Sequence, residues 1–72
     1  MSQPETIEIV VNDQSITIAE GSSVTDVLKI LEIRTKAIAV EINQEIVSGQ
    51  NHATTLVNAG DRLEVVTLVG GG

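Results

Sequence analysis

Ser23-Val24-Thr25-Asp26-Val27-Leu28-Lys29-Ile30-Leu31 is the one stretch of this chain whose apolar residues recur at helical spacing. Val24, Val27, Leu28 and Leu31 fall on one face of a 3.6-residue helix. Ser23 with Asp26 three residues on has the form of a capping box, with Asp replacing the usual Glu, so the helix starts here. Ile33 falls on the opposite side of the wheel, which predicts an end near Leu31 or Glu32. With no second helical pattern in the chain, the stripe has one structural use, which is to cover a sheet.

Working outward, the flanks read as strands. Residues 7–11 place Ile7, Ile9 and Val11 on one face at a period of two. Asn12-Asp13-Gln14 is turn-like, and residues 15–19 alternate again with Ile16 and Ile18 together, which predicts a hairpin. Glu20-Gly21-Ser22-Ser23 breaks that pattern, and helix capping accounts for both serines. Beyond the helix, residues 37–42 form a third strand with Ile38, Val40 and Ile42 inward. Asn43-Gln44 turns the chain into a short fourth strand, Glu45-Ile46-Val47. Residues 48–58 read as an irregular crossover anchored by Leu56. Asn58-Ala59-Gly60-Asp61 is a tight turn, and residues 62–68 form a fifth strand with Leu63 and Val65 inward.

The order ββαββ followed by β predicts an α+β domain, one mixed five-stranded sheet packed on one main helix: the β-grasp (ubiquitin-like) arrangement. Residues 1–6 read as a disordered N-terminal extension, 7–68 as the β-grasp domain, and 69–72 as a flexible glycine tail.

Composition narrows the function. A domain of 72 residues buries only about 60% of its unfolded surface. It has no aromatic residues, so the core is built from Ile, Val, Leu and Ala and has no room for a deep pocket. That favours a module acting through partners over a self-contained enzyme. The net charge of −6 and pI of 4.4 exclude phosphate-backbone binding, which needs clustered Lys and Arg. An acidic membrane surface would repel the chain, and the partner they favour is a protein with a basic docking face. The absence of cysteine removes disulfides, thiolate chemistry and Cys-based metal sites. The polar start Met-Ser-Gln-Pro-Glu-Thr lacks the features of a signal peptide, and no segment has membrane-spanning length, so the cytosol is the expected location.

Nothing internal reads as catalytic. His52 is the only histidine and sits in the crossover, where a surface or partly packed side chain is its plainer role. The carboxylates are spread over strands and turns, as on solvated faces. No pair of His or Cys ligands exists to begin a zinc site.

The end of the chain is different: Leu68-Val69-Gly70-Gly71-Gly72. At a usage of about 7% glycine, three terminal glycines arise by chance in roughly one chain in three thousand. A frayed end would carry mixed polar residues, whereas here an apolar strand runs straight into the glycines. No helix follows to make them a phosphate loop. Lacking Cβ atoms, they can thread a narrow channel in a partner and present the final carboxylate there. An α-carboxylate has a pKa near 3.3 and is an anion, hence a poor electrophile, at neutral pH. It must be activated, ordinarily as an acyl-adenylate, by ATP, Mg²⁺ and cationic groups that a separate enzyme supplies.

Over residues 7–72 the sequence resembles the ThiS family of sulfur carriers for thiamine thiazole synthesis. The matching stretches are Val11-Asn12-Asp13-Gln14, Glu20-Gly21 before the helix, Ala39-Val40-Glu41-Ile42-Asn43-Gln44-Glu45-Ile46-Val47, Ala59-Gly60-Asp61-Arg62-Leu63-Glu64-Val65-Val66 and Val69-Gly70-Gly71-Gly72. The resemblance implies that Gly72 is adenylated by a ThiF-type enzyme, converted to a thiocarboxylate, and gives its sulfur to thiazole synthase, ThiG. It also implies a sulfur-donating enzyme, no cofactor bound by this chain, and ATP and Mg²⁺ used by the activating partner. Gly70 and Gly71 match the flexible part of the tail. Three departures stand out: many relatives carry an aromatic residue near the position of His52, a third glycine precedes the usual pair, and residues 1–6 exceed the compact family length, which is why they are expected to be disordered.

Three other readings stay open at this point. One is the carrier of molybdopterin synthesis, which shares fold and tail but tends to be longer, with prolines before the glycines; here the only proline is Pro4. The others are a protein modifier joined to lysines and an interaction module with an inert tail. For docking, strand alternation points Val66 and Leu68 away from the helix. Val10 is expected on the same face, rimmed by Glu8, Glu41 and Glu64, with Val69, Gly70 and Gly71 continuing the contact into the partner.

Overall fold

The computed structural model describes residues 5–68. Its elements run β1 Thr6–Val11, β2 Gln14–Ala19, α1 Val24–Ile30, β3 Ile38–Ile42, β4 Glu45–Val47, a 3₁₀ turn Gly49–Asn51, and β5 Arg62–Thr67. The strand order across the single sheet is β2-β1-β5-β3-β4. β1 pairs antiparallel with β2 and parallel with β5, and β3 pairs antiparallel with both β5 and β4. The sheet is therefore mixed, with β5 at its centre and α1 across one face: the β-grasp arrangement expected from the sequence.

The inward residues are those that strand and helix periods select. Ile9, Val11, Ile18, Val24, Val27, Leu28, Val40, Leu63 and Val65 are buried together, and Ile7, Ile16, Leu31, Ile38 and Ile42 pack around them half-buried. Each such side chain contributes about 1.5–3 kcal/mol when fully buried, and this entirely aliphatic set is what holds the sheet to α1.

Local chemistry sets the boundaries. Ser23 caps α1 in a full capping box: its Oγ accepts from the Asp26 N–H at 3.2 Å, and Asp26 Oδ2 accepts from the Ser23 N–H at 2.9 Å. Ser22, read from the sequence as a second capping residue, instead donates its hydroxyl to the Ala19 carbonyl at 2.6 Å. At the other end Glu32 takes a left-handed φ of 58°. Ile33 N–H then reaches back to the Leu28 carbonyl at 2.9 Å and Glu32 N–H to Lys29 at 3.0 Å, the paired bonds of a Schellman ending. That reversal brings Ile33, on the far side of an ideal wheel, back against the core.

The crossover corrects one reading. Leu56, expected to anchor it, is 54% exposed, and its neighbour Val57 is 2% exposed and fills the core. The backbone decides this. Val57 N–H donates to the Ser22 carbonyl and Val24 N–H to the Thr55 carbonyl, both at 2.9 Å, so the crossover is stitched to the start of α1 with Val57 turned inward. Smaller shifts occur at strand ends: β1 takes in Thr6, β2 takes in Gln14, β3 begins at Ile38 rather than residue 37, and Leu68 lies just past β5.

Candidate functional site

The strand that leads to the glycines is held from both sides. β1 and β2 are joined through Asn12 and Asp13, and β3 and β4 through Asn43 and Gln44, all four with φ between 49° and 72°. That is the two-residue geometry that matches strand twist. Asparagine tolerates the left-handed region because its short amide bonds locally, and here both amides bond to β5. Asn12 Nδ2 donates to the Val65 carbonyl at 3.0 Å while Asn12 Oδ1 accepts from the Val65 N–H at 2.9 Å. The side chain thus replaces one further peptide of β1 where the backbone has already turned away. On the other side Asn43 Oδ1 accepts from the Arg62 N–H at 3.0 Å, and Asn43 Nδ2 donates to Asp61 Oδ1 at 3.1 Å. Asp61 Oδ2 accepts from the Asn58 N–H at 2.7 Å, which closes the turn before β5. In that turn Gly60 has φ +84°, a value open to glycine at no steric cost. These asparagines read as turn residues in the sequence; their hold on β5 is found only in the structure.

The sheet face away from α1 is open. Alternation about buried Leu63 and Val65 turns Arg62, Glu64, Val66 and Leu68 toward it. The register sets Val66 opposite Ala39, Glu64 opposite Glu41, and Arg62 beside Val10, with Ile46 beyond Glu41. Val66 and Leu68 are 53% and 54% exposed and Ile46 79%. The structure thus gathers Val66, Ala39 and Leu68 at the end of the face from which the tail leaves. Val10 is on the same face but not in that group: its neighbour Arg62 is four residues from Val66, roughly 13 Å along the strand, with Glu64 between. Val10 instead lines a 440 Å³ concavity with Asp13, Glu41, Arg62 and Glu64. Arg62 pairs with Asp13 at 3.2 Å, with both side chains largely in water, so this contact adds little stability. Among the described residues neither Glu41 nor Glu64 forms an ion pair, and like charges directly opposite on a sheet disfavour the free state.

Leu68, the last described residue, donates its N–H to the Ala37 carbonyl at 2.7 Å. Val69, Gly70, Gly71 and Gly72 lie outside the described residues, as do residues 1–4. His52 is half-buried, with Nε2 3.2 Å from the Val47 carbonyl, a packing role inside the crossover. Among the described residues, no group of three His, Cys, Asp or Glu is arranged to hold a metal, and no helix is long and apolar enough to cross a membrane.

A clamped β5 thus leads toward three glycines, beside an open face of apolar residues edged by carboxylates, and the chain as a whole is similar to known proteins. The family described as ThiS matches residues 4–72. The chain belongs to the ThiS family. The sulfur carrier protein ThiS of Escherichia coli is 33% identical over 66 residues, covering 92% of this chain and all of that one. A thiazole synthase of Paramagnetospirillum magneticum is 35% identical over 66 residues, and there this chain spans only 20% of the relative's length. The crystal structure of a thiamine biosynthesis protein (ThiS) from Geobacter metallireducens superposes with a TM-score of 0.79 at 30% identity, covering 92% of this chain and all of that one. The family match takes in the glycine run as well as the sheet and helix.

Proposed function

We propose that this chain is a sulfur carrier of thiamine biosynthesis, a co-substrate whose reacting atom is the carboxyl carbon of Gly72. The observation that carries the reading is the run of Leu68 and Val69, just past β5, into three glycines in a chain without thiol, with membership of the ThiS family. The carboxylate attacks the α-phosphorus of ATP on a ThiF-type enzyme, and pyrophosphate leaves. Hydrosulfide supplied by a sulfur-donating enzyme then attacks the acyl carbon, AMP leaves and the S–H proton is lost, and the resulting thiocarboxylate delivers its sulfur to thiazole synthase. ATP and Mg²⁺ belong to the activating enzyme, and no cofactor is assigned to this chain. With no cysteine, the terminal acyl group is the place where this chain can hold sulfur covalently.

The partner assignment is supported by the thiazole synthase of which this chain matches a fifth: one polypeptide there carries a domain of this kind. The open face supplies the docking surface, with Val66 and Leu68 beside the tail and Val10 farther along. The opposed Glu41 and Glu64 attract a basic partner surface. Gly70, Gly71 and Val69 continue the contact into the partner's channel.

ATP–pyrophosphate exchange by the ThiF-type enzyme tests the first step. Exchange should depend on this chain and disappear when one residue is appended after Gly72. A host lacking the chain should require thiamine or its thiazole precursor for growth. Loss of molybdenum-enzyme activity in its place, or conjugates on lysines, would transfer the assignment to one of the other tailed carriers.

A further inference from the structure

The chain has four cations against ten carboxylates, yet the cations are not scattered. Arg62 is tied to Asp13. Lys29 sits in the last turn of α1, where a positive charge suits the helix end. The two left, Arg34 and Lys36, lie on the connection between α1 and β3; both are exposed, and neither forms an ion pair among the described residues. No fold role accounts for them. Their position does: Leu68 is fastened to the Ala37 carbonyl, one residue beyond Lys36 and three beyond Arg34. The free cations of an acidic protein thus stand where the tail leaves the sheet. Glu41 and Glu64, which form no ion pair among the described residues, stand opposite each other farther along the sheet.

We infer that Arg34 and Lys36 form a basic collar at the root of the tail that docks against an acidic rim around the activating enzyme's tail channel. The inference rests on the function proposed above. Residues 69–72, drawn out in a channel, span at most about 14 Å, well beyond the reach of a lysine side chain. The collar therefore meets the mouth of the channel, not the nucleotide at its end. The partner's surface is then bipolar, basic where it faces Glu41 and Glu64 and acidic where it faces the collar. Two opposite charge matches at separated points fix the orientation in which the tail is presented.

The sign of one measurement separates this from simple attraction between an acidic carrier and a basic enzyme. Arg34→Glu/Lys36→Glu makes the chain more negative. Attraction by net charge alone predicts tighter binding; the collar predicts weaker binding. KM for the chain in ATP–pyrophosphate exchange should rise by about tenfold or more, with kcat and KM for ATP unchanged, and the difference should shrink at high salt. Lys36→Glu alone should raise KM, while Lys29→Glu, an equal change in charge elsewhere, should not. Melting curves of all variants verify that the domain stays folded. An unchanged or lowered KM in the double variant, an equal effect from Lys29→Glu, or a change in KM for ATP would each overturn the collar. If the unaltered chain supports no exchange at all, the proposed function fails and the inference falls with it.

Discussion

Asn12 does two jobs with one side chain. It occupies a left-handed backbone position, and its amide bonds both the N–H and the carbonyl of buried Val65. Asn12→Ala loses both bonds and strains the turn, and should cost about 2 kcal/mol or more, a fall in Tm of roughly 10 °C for a domain of this size. Asn12→Gly relieves the turn but still loses the bonds, so it should fall between Ala and the parent in a thermal melt. An Ala variant as stable as the parent would remove the clamp from the account. Asp26 is the other residue with a defined electrostatic role. Hydrogen bonds from the Ser23 backbone and hydroxyl, with Lys29 nearby, hold its carboxyl below the ordinary aspartate value of 3.8. A depressed folded pKa means that the cap's pH-dependent stability is complete above the unfolded value and is lost as pH falls through the folded one. The stability gap between the parent and Asp26→Asn should therefore hold steady at neutral pH and close as the solution is acidified below 3.8. The capping box was legible because its partners are three positions apart. The Asn12 clamp was not, since its partner is 53 positions away and nothing local marks it.

At the scale of elements, the periods of two and 3.6 residues gave every strand and the helix. The misreadings fall where periodicity stops. Leu56 and Val57 are adjacent apolar residues in an irregular segment, and only the bond from Val57 N–H to Ser22 chooses between them. Ile33, off the apolar stripe, marked the end of the helix correctly, and the turn at Glu32 is what folds it back onto the core. That turn yields a prediction. Glu32 holds a left-handed φ without the freedom of glycine, and its negative charge sits unfavourably at a helix C-terminus. Glu32→Gly should stabilise the domain by about 0.5–1 kcal/mol, raising Tm by several degrees; a fall in Tm would show that the Glu32 side chain has a role the Schellman ending does not explain. On β5, the outward direction of Val66 followed from alternation alone. Val66→Asp should cost about 1 kcal/mol of stability or less while weakening binding to the activating enzyme by about tenfold or more, measured by titration calorimetry. Unchanged affinity would move the docking face elsewhere. The split of that face, with Val10 at one end and Val66 at the other, required the β1–β5 register, which a sequence does not display.

The whole molecule is a small aliphatic domain that presents one strand. Its core and its hairpin asparagines converge on β5, and the chain beyond β5 leads into the glycines. Glycines offer no side chains to pack, and ordering them would cost backbone entropy. Removal of Gly71 and Gly72 should therefore leave the melting transition nearly unchanged while abolishing activation. The central claim, sulfur on Gly72, is tested most directly by intact mass spectrometry of the chain after incubation with a ThiF-type enzyme, ATP, Mg²⁺ and a sulfur donor. The predicted result is a gain equal to one sulfur replacing one oxygen, located on Gly72 and absent when a residue is appended after it. An unchanged mass under conditions where the enzyme consumes ATP, or a sulfur found anywhere but Gly72, would contradict the claim.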